Sequence, residues 1–527
     1  MVPRALSCFC ALCLWFLPLL ANAAENQLVF SWQVNAGPLN PHLYSPNQMY
    51  AQNMLYEPLV KYGNNGAIIP WLAEKWDISP DGKTYTFTLR QGVRYTDGAS
   101  FDAASVVKNF EAVRANFKRH KWLELVNRID SLEAPDARTF VLHLTSPYYP
   151  TLQELALIRP LRFLSPNAFP ASGNTAEGIK QPVGTGPWVL AESRLGEYDL
   201  FVRNEQYWGA KPSIEKIRVM VVGDPNSRLT AYETETVELI YGPGGHAAGQ
   251  ISLDAFKALA ADKKNIATIS GGMGTRALCL NSNRCPTAEL AVRQAIAHAV
   301  DKEALVKGIF LGVEKRADTL FATDIPYCDL GLKPFSFDRA EAARLLDEAG
   351  WKLPPGGKFR VKNDAPLEVE FCFVGNDALH KAVAELLQGE LAKVGIAVKL
   401  TGDEPDAFSK RQQNGTFGII FNDTWGPPYE PHAMVSSMRS PAHADFQAQA
   451  GLPMKKEIDD KIGQVFTTTE ETARQALYRD ILTTLHEQAV YLPLTYMTNI
   501  MVHRKGLTVK GFAPIKEIVP FEEMAKQ

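Results

Sequence analysis

Trp425, Tyr429, His432 and His443 fall within one stretch of the chain, residues 418–446, and they hold the chemistry to grip a small molecule. An imidazole offers a lone pair to a transition metal, and aromatic rings wall a pocket or stack on planar cations. The stretch opens as an apolar strand over 418–421 and then turns into a Pro-interrupted loop, a segment suited to carrying binding groups beyond a strand end. The two histidines stand eleven positions apart, which fits no protein-only metal motif. A metal bound here takes most of its ligands from elsewhere.

The hydrolytic motifs are all incomplete. His486-Glu487 starts an HExxH string, but Val490 stands where the second histidine is needed. Ser105 and Lys108 have S-x-x-K spacing without S-D-N or K-T-G companions, and both read as the outer surface of a helix. No G-x-S-x-G occurs, and beyond the leader no C-x-x-C pair offers structural zinc. The chain therefore reads as a non-enzyme. The later cysteines are Cys279, Cys285, Cys328 and Cys372. The short LNSNR segment between the first two leaves a local bridge open.

Residues 1–23 read as a signal peptide: Arg4, an apolar run over 5–20, then Ala21-Asn22-Ala23 as a small-residue cleavage site. Nothing after it approaches the roughly 18 uninterrupted apolar residues of a membrane span, so the mature chain is expected outside the bilayer in an exported compartment. A net charge of −3 leaves no footprint for nucleic acid. At 527 residues the chain exceeds one core, and two or three domains are expected.

The elements that must position the loop are interspersed strands and helices, an α/β pattern. Residues 84–89 alternate with period two and predict a half-buried strand. Asp102 is placed to cap a helix from Ala103 to about Asn116. Further strands are predicted at 27–34, 189–192, 216–221, 237–240, 367–373, 398–401 and 417–421. Helices are predicted at 287–299, 339–349, 378–394, 456–467 and 472–487.

Longer motifs carry a resemblance. PWLAEKW (70–76), SPDGKTYTFTLRQGVRYTDGASFDA (79–103), GTGPW (184–188), AVRQA (291–295) and EAGW (348–351) resemble peptide- and nickel-type solute-binding proteins of ABC importers. The segment 34–62, KRHKWLEL (118–125), LIRPLRF (157–163), TWGPPYEPHA (424–433) and SPAHADFQAQ (440–449) are similar to the nickel-binding members. The resemblance implies a two-lobed α/β periplasmic-binding-protein fold with a ligand cleft between the lobes. Lobe I would comprise 24–271 with 494–527, and lobe II 272–493. It also implies a monomeric periplasmic receptor for chelated Ni2+ that serves an inner-membrane ABC permease. The alternative within the family is an oligopeptide- or dipeptide-binding protein.

By the same resemblance His443 is the one protein ligand to the metal, and binding weakens as its ring is protonated. Arg119 and Arg159 match arginines that meet carboxylates of the chelator, where a guanidinium fork makes two parallel hydrogen bonds. Trp122, Trp425, Tyr429 and Met49 match cavity walls, with Tyr44 and Ser45 in the same N-terminal loop. His432 reads as structural. Two departures stand out. Glu517 occupies a segment, 515–518, where nickel-binding relatives place a hydroxyl, and it would repel a carboxylate-bearing chelator unless it points away. The segment 242–250 looks long, with His246 in a solvated loop.

Overall fold

The computed structural model describes residues 26–44, 47–243 and 249–527. The leader 1–23, Ser45 and His246 lie outside the described residues.

Two mixed sheets organise the chain. The first has seven strands in the order Asn265–Ile269, Asn499–Arg504, Leu239–Pro243, Gln27–Trp32, Lys216–Val221, Tyr198–Arg203 and Trp188–Arg194. Gln27–Trp32 lies between two parallel neighbours. The second has six: Lys315–Arg316, Tyr491–Tyr496, Thr275–Leu280, Ile419–Phe421, Glu368–Val374 and Ala397–Asp403. Ile419–Phe421 and Ala397–Asp403 both run parallel to Glu368–Val374. The loop after Gln27–Trp32 and the loop after Ile419–Phe421 thus leave the carboxyl ends of parallel strands, where open α/β sheets collect ligands.

A smaller antiparallel sheet joins Ala73–Ile78, Thr84–Leu89, Thr139–Leu144 and Ile129–Glu133. Its strand Thr84–Leu89 buries Tyr85, Phe87 and Leu89 on one face, as the period-two pattern requires. Helix Ala103–Ala115 packs there, with the Phe110 and Phe140 rings 5.0 Å apart. A reciprocal cap starts it: Ser105 N–H donates to Asp102 Oδ1 at 2.8 Å, and Asp102 N–H donates to Ser105 Oγ at 3.1 Å. Ser105 is therefore buried rather than on the outer surface, because its hydroxyl serves the cap and accepts from Tyr95. Lys108 is exposed as expected.

The chain passes between the large sheets twice, after Ile269 and after Tyr496. The crossings are bonded to each other, Met273 N–H to Met497 O at 2.7 Å and Met497 N–H to Gly274 O at 2.9 Å. The expected boundary at 493/494 falls inside Tyr491–Tyr496, since Thr495 still pairs with Arg276 in the six-stranded sheet. The return lies at 497–498. Cys279 is buried in its strand and Cys285 is exposed, and the two thiols are unlinked.

Candidate functional site

On the side of the seven-stranded sheet, Tyr44 is the hub. Its hydroxyl is hydrogen-bonded to Nδ1 of the buried His120, and its carbonyl accepts from Arg159 Nη1. The same Nη1 reaches Asn47 O at 3.4 Å, and the guanidinium sits 5.3 Å from the Tyr44 ring centre. Burial pulls the Arg159 pKa below its ordinary value, against the charges of Tyr429, Tyr44 and Glu517. Burial, then Arg119, pulls His120 down to about 4, so its ring is neutral at neutral pH. Arg119 is exposed on the turn after helix Ala103–Ala115, and its charge acts on both Tyr44 and His120. Met49 opens helix Met49–Leu55 and is half-buried against the core.

On the other side stands the loop after Ile419–Phe421. Gly426, at φ 77°, lets the backbone lie against the first crossing, where a Cβ would meet Met273 O at 2.3 Å. Gly426 N–H donates to Glu430 Oε1 at 2.6 Å, and Thr275 N–H donates to Thr424 Oγ1 at 2.7 Å. This clamp holds Trp425 and Tyr429 with ring centres 6.2 Å apart, edge to face. The loop also contains two short helices, His432–Ser437 and Ala444–Gln449, too brief for periodicity to reveal. His443 takes the N-cap position of the second, yet its side chain makes no capping bond. Its ring centre is 6.1 Å from that of Trp425.

The two sides meet. Ring centres run from His443 to Trp425 at 6.1 Å, to Tyr429 at 6.2 Å, to Trp122 at 6.3 Å and to Tyr44 at 5.8 Å. Of the expected site residues, His443, Trp425, Tyr429, Trp122, Tyr44 and Arg159 thus form one continuous cluster, with Arg119 at its exposed edge. An imidazole, a guanidinium and four aromatic walls suit a small planar or chelated anion. Among the described residues no three His, Cys, Asp or Glu side chains gather closely enough to cage a bare ion. His432 is packed away, its Nε2 3.9 Å from the buried Glu154, and burial pulls it down to about 3.

Three further groups belong to this region. Buried Asp445 accepts from Asn422 at 2.9 Å, Ser437 at 3.2 Å and Tyr491 at 2.8 Å, tying the helix behind His443 to the six-stranded sheet. In sequence it looks like an ordinary acidic residue of a surface loop. His120 lies inside a basic run, residues 118–121, that reads as a solvated surface. Glu517 is the third.

His42, in the Tyr44 loop, yields a pH prediction. It is buried, with Nδ1 2.9 Å from Thr175 Oγ1 and Nε2 3.3 Å from Arg162 O, and burial pulls its pKa from 6.5 to about 4. Between those values the unfolded chain binds a proton that the folded chain refuses, so stability falls on acidification, by up to roughly 3 kcal/mol from this residue. His42→Gln is expected to flatten the acid limb between pH 6.5 and 4 in urea unfolding. An unchanged slope would remove His42 from the account.

The model of the bacterial extracellular solute-binding proteins, family 5 Middle, matches residues 67–446. The nickel-binding periplasmic protein of Escherichia coli (strain K12) is 49% identical over 502 residues, covering 95% of both chains. The crystal structure of NikA from Brucella suis in complex with Fe(III)-EDTA matches with a TM-score of 0.92 at 52% identity, over 95% of this chain and 100% of that one. The dipeptide-binding protein of Escherichia coli (strain K12) is 25% identical over 515 residues, covering 93% of both.

Proposed function

This chain belongs to family 5 of the bacterial extracellular solute-binding proteins, and from that premise we propose that it is a periplasmic receptor for chelated Ni2+ that delivers its cargo to an inner-membrane ABC importer. Family members bind solutes and are not enzymes. The observation that carries the reading is the cluster from His443 to Tyr44, which draws on loops of both large sheets and lays Arg159 beside its aromatic walls. His443 is the metal contact, and Arg119 and Arg159 hold the chelator's carboxylates. Trp122, Trp425, Tyr429, Met49 and Tyr44 line the cavity. With one imidazole from the protein, the remaining coordination comes from the chelator, as Ni2+ accepts both nitrogen and carboxylate ligands.

In this reading lobe I spans residues 24–271 and the segment returning after Tyr496, and lobe II lies between. The paired crossings at 270–274 and 497–498 are the hinge, and closure of the lobes presents the loaded receptor to the permease. The leader is removed on export, and the receptor works as a monomer.

Calorimetry with Ni2+ alone, histidine alone and the two together tests the reading. Tight binding is expected only for the mixture, and His443→Ala is expected to weaken it by about a hundredfold or more, equivalent to ~3 kcal/mol. Tight binding of bare Ni2+, unchanged in His443→Ala, would overturn it. Binding of short peptides in place of the mixture would favour a peptide receptor.

A further inference from the structure

Glu517 arrives at the cluster from the far end of the chain. It sits in a turn closed by Ile518 N–H donating to Ile515 O at 3.1 Å. The turn is anchored to the strand that follows the second crossing, because Asn499 Nδ2 donates to Lys516 O at 2.8 Å. The side chain keeps only 18% of its surface exposed, and Lys516 Nζ stands 3.8 Å from Oε1. Oε2 is shut off from solvent and has no hydrogen-bond partner. Its charge acts on both Arg159 and Tyr429. Burial raises its own pKa, against the pull of Lys516, a bond from its own backbone N–H to the carboxyl, and Arg159.

A buried acceptor without a donor is costly, and such a group in a binding region points to a ligand that completes it. We infer that Glu517 is a specificity-determining residue whose Oε2 accepts a hydrogen bond from an N–H of the bound chelate. The inference rests on the nickel-chelate reading of this site. Arg159 then takes a carboxylate of the chelate while Glu517 takes a nitrogen-bound hydrogen, so the favoured class combines both groups, as a metal-bound amino acid does. A chelate made only of carboxylates and tertiary amines offers no such donor. Its extra negative charge beside Glu517 costs either like-charge repulsion or the uptake of a proton. The carboxylate therefore selects by attraction toward one class and by repulsion of the other.

The test compares nickel–histidine with nickel–EDTA, by calorimetry, in the unaltered protein, Glu517→Gln and Glu517→Thr. Circular dichroism melts of the three proteins establish that each is folded. The ratio of affinities, histidine chelate over EDTA chelate, is expected to fall about tenfold or more in both variants, mainly through tighter EDTA-chelate binding. An unchanged ratio in folded variants that still bind the histidine chelate would overturn the assignment of Glu517 and leave the receptor reading intact. Failure of all three proteins to bind either chelate would overturn the receptor reading, and this inference with it.

Discussion

Arg159→Ala is expected to weaken binding of a nickel chelate by more than about a hundredfold. Nη1 serves the backbone of the Tyr44 loop, and among the described residues no acceptor meets Nε or Nη2. Those donors are available for a carboxylate. Each charge-assisted hydrogen bond is worth roughly 1.5–3 kcal/mol, so losing a two-point clamp removes about 3 kcal/mol or more. Removing the guanidinium also leaves Lys516 alone to oppose the charge of Glu517. Arg159→Lys keeps the charge but not the fork, and should recover only part of the affinity. Calorimetry with nickel–histidine reads the effect, and a cooperative thermal melt of the unliganded variant checks its fold. Unchanged affinity in Arg159→Ala would show that the clamp assignment is wrong.

The largest stability effect is expected at Arg276. This fully buried guanidinium bonds Glu314 through Nη2 at 2.8 Å and Nε at 3.2 Å, and Asp423 through Nη1 at 3.3 Å. Burial opposes its charge, but Glu314 and Asp423 more than offset that and hold its pKa above the ordinary value. Thr495 adds a hydroxyl donor to Glu314 from the neighbouring strand. Arg276→Met leaves Glu314 buried and uncompensated, a loss of about 3–5 kcal/mol. The double variant with Glu314→Gln should regain part of it. Urea unfolding midpoints measure both changes, and a single-variant loss below about 1 kcal/mol would mean that the network contributes little. The variant should also bind chelate less tightly, because Asp423 immediately precedes the Thr424–Trp425 loop and its Oδ1 accepts from Ala277 N–H at 3.2 Å.

Much of the fold was legible because its signals are local. The predicted strand at 84–89 and the helix begun by Asp102 match Thr84–Leu89 and Ala103–Ala115, since alternation and capping act over a few residues. Ser105 was misplaced for the converse reason. A serine on a helix reads as surface unless one knows that Tyr95 comes back over it. The boundary at 493/494 came with the resemblance, and strand pairing of Thr495 with Arg276 carries the six-stranded sheet past it.

The candidate site divides in the same way. His443 and the Trp425–Tyr429 loop are marked by residue type and motif, and Arg159 by its match to the family's carboxylate-binding arginines. Asp445 and His120 are not, because their weight comes from burial beside partners distant in the chain. What the sequence by itself determined was membership of a solute-binding family, the α/β alternation and the side chains able to meet a chelated metal. Only the tertiary structure decided that Tyr44, Trp122, Arg159, Tyr429 and His443 converge, and that Glu517 acts on Arg159 and Tyr429 with one oxygen unpaired. The physical reason is range. Hydrogen bonding and side-chain period are written over three or four residues, whereas the company a buried charge keeps is set by two crossings that fold distant segments onto one another.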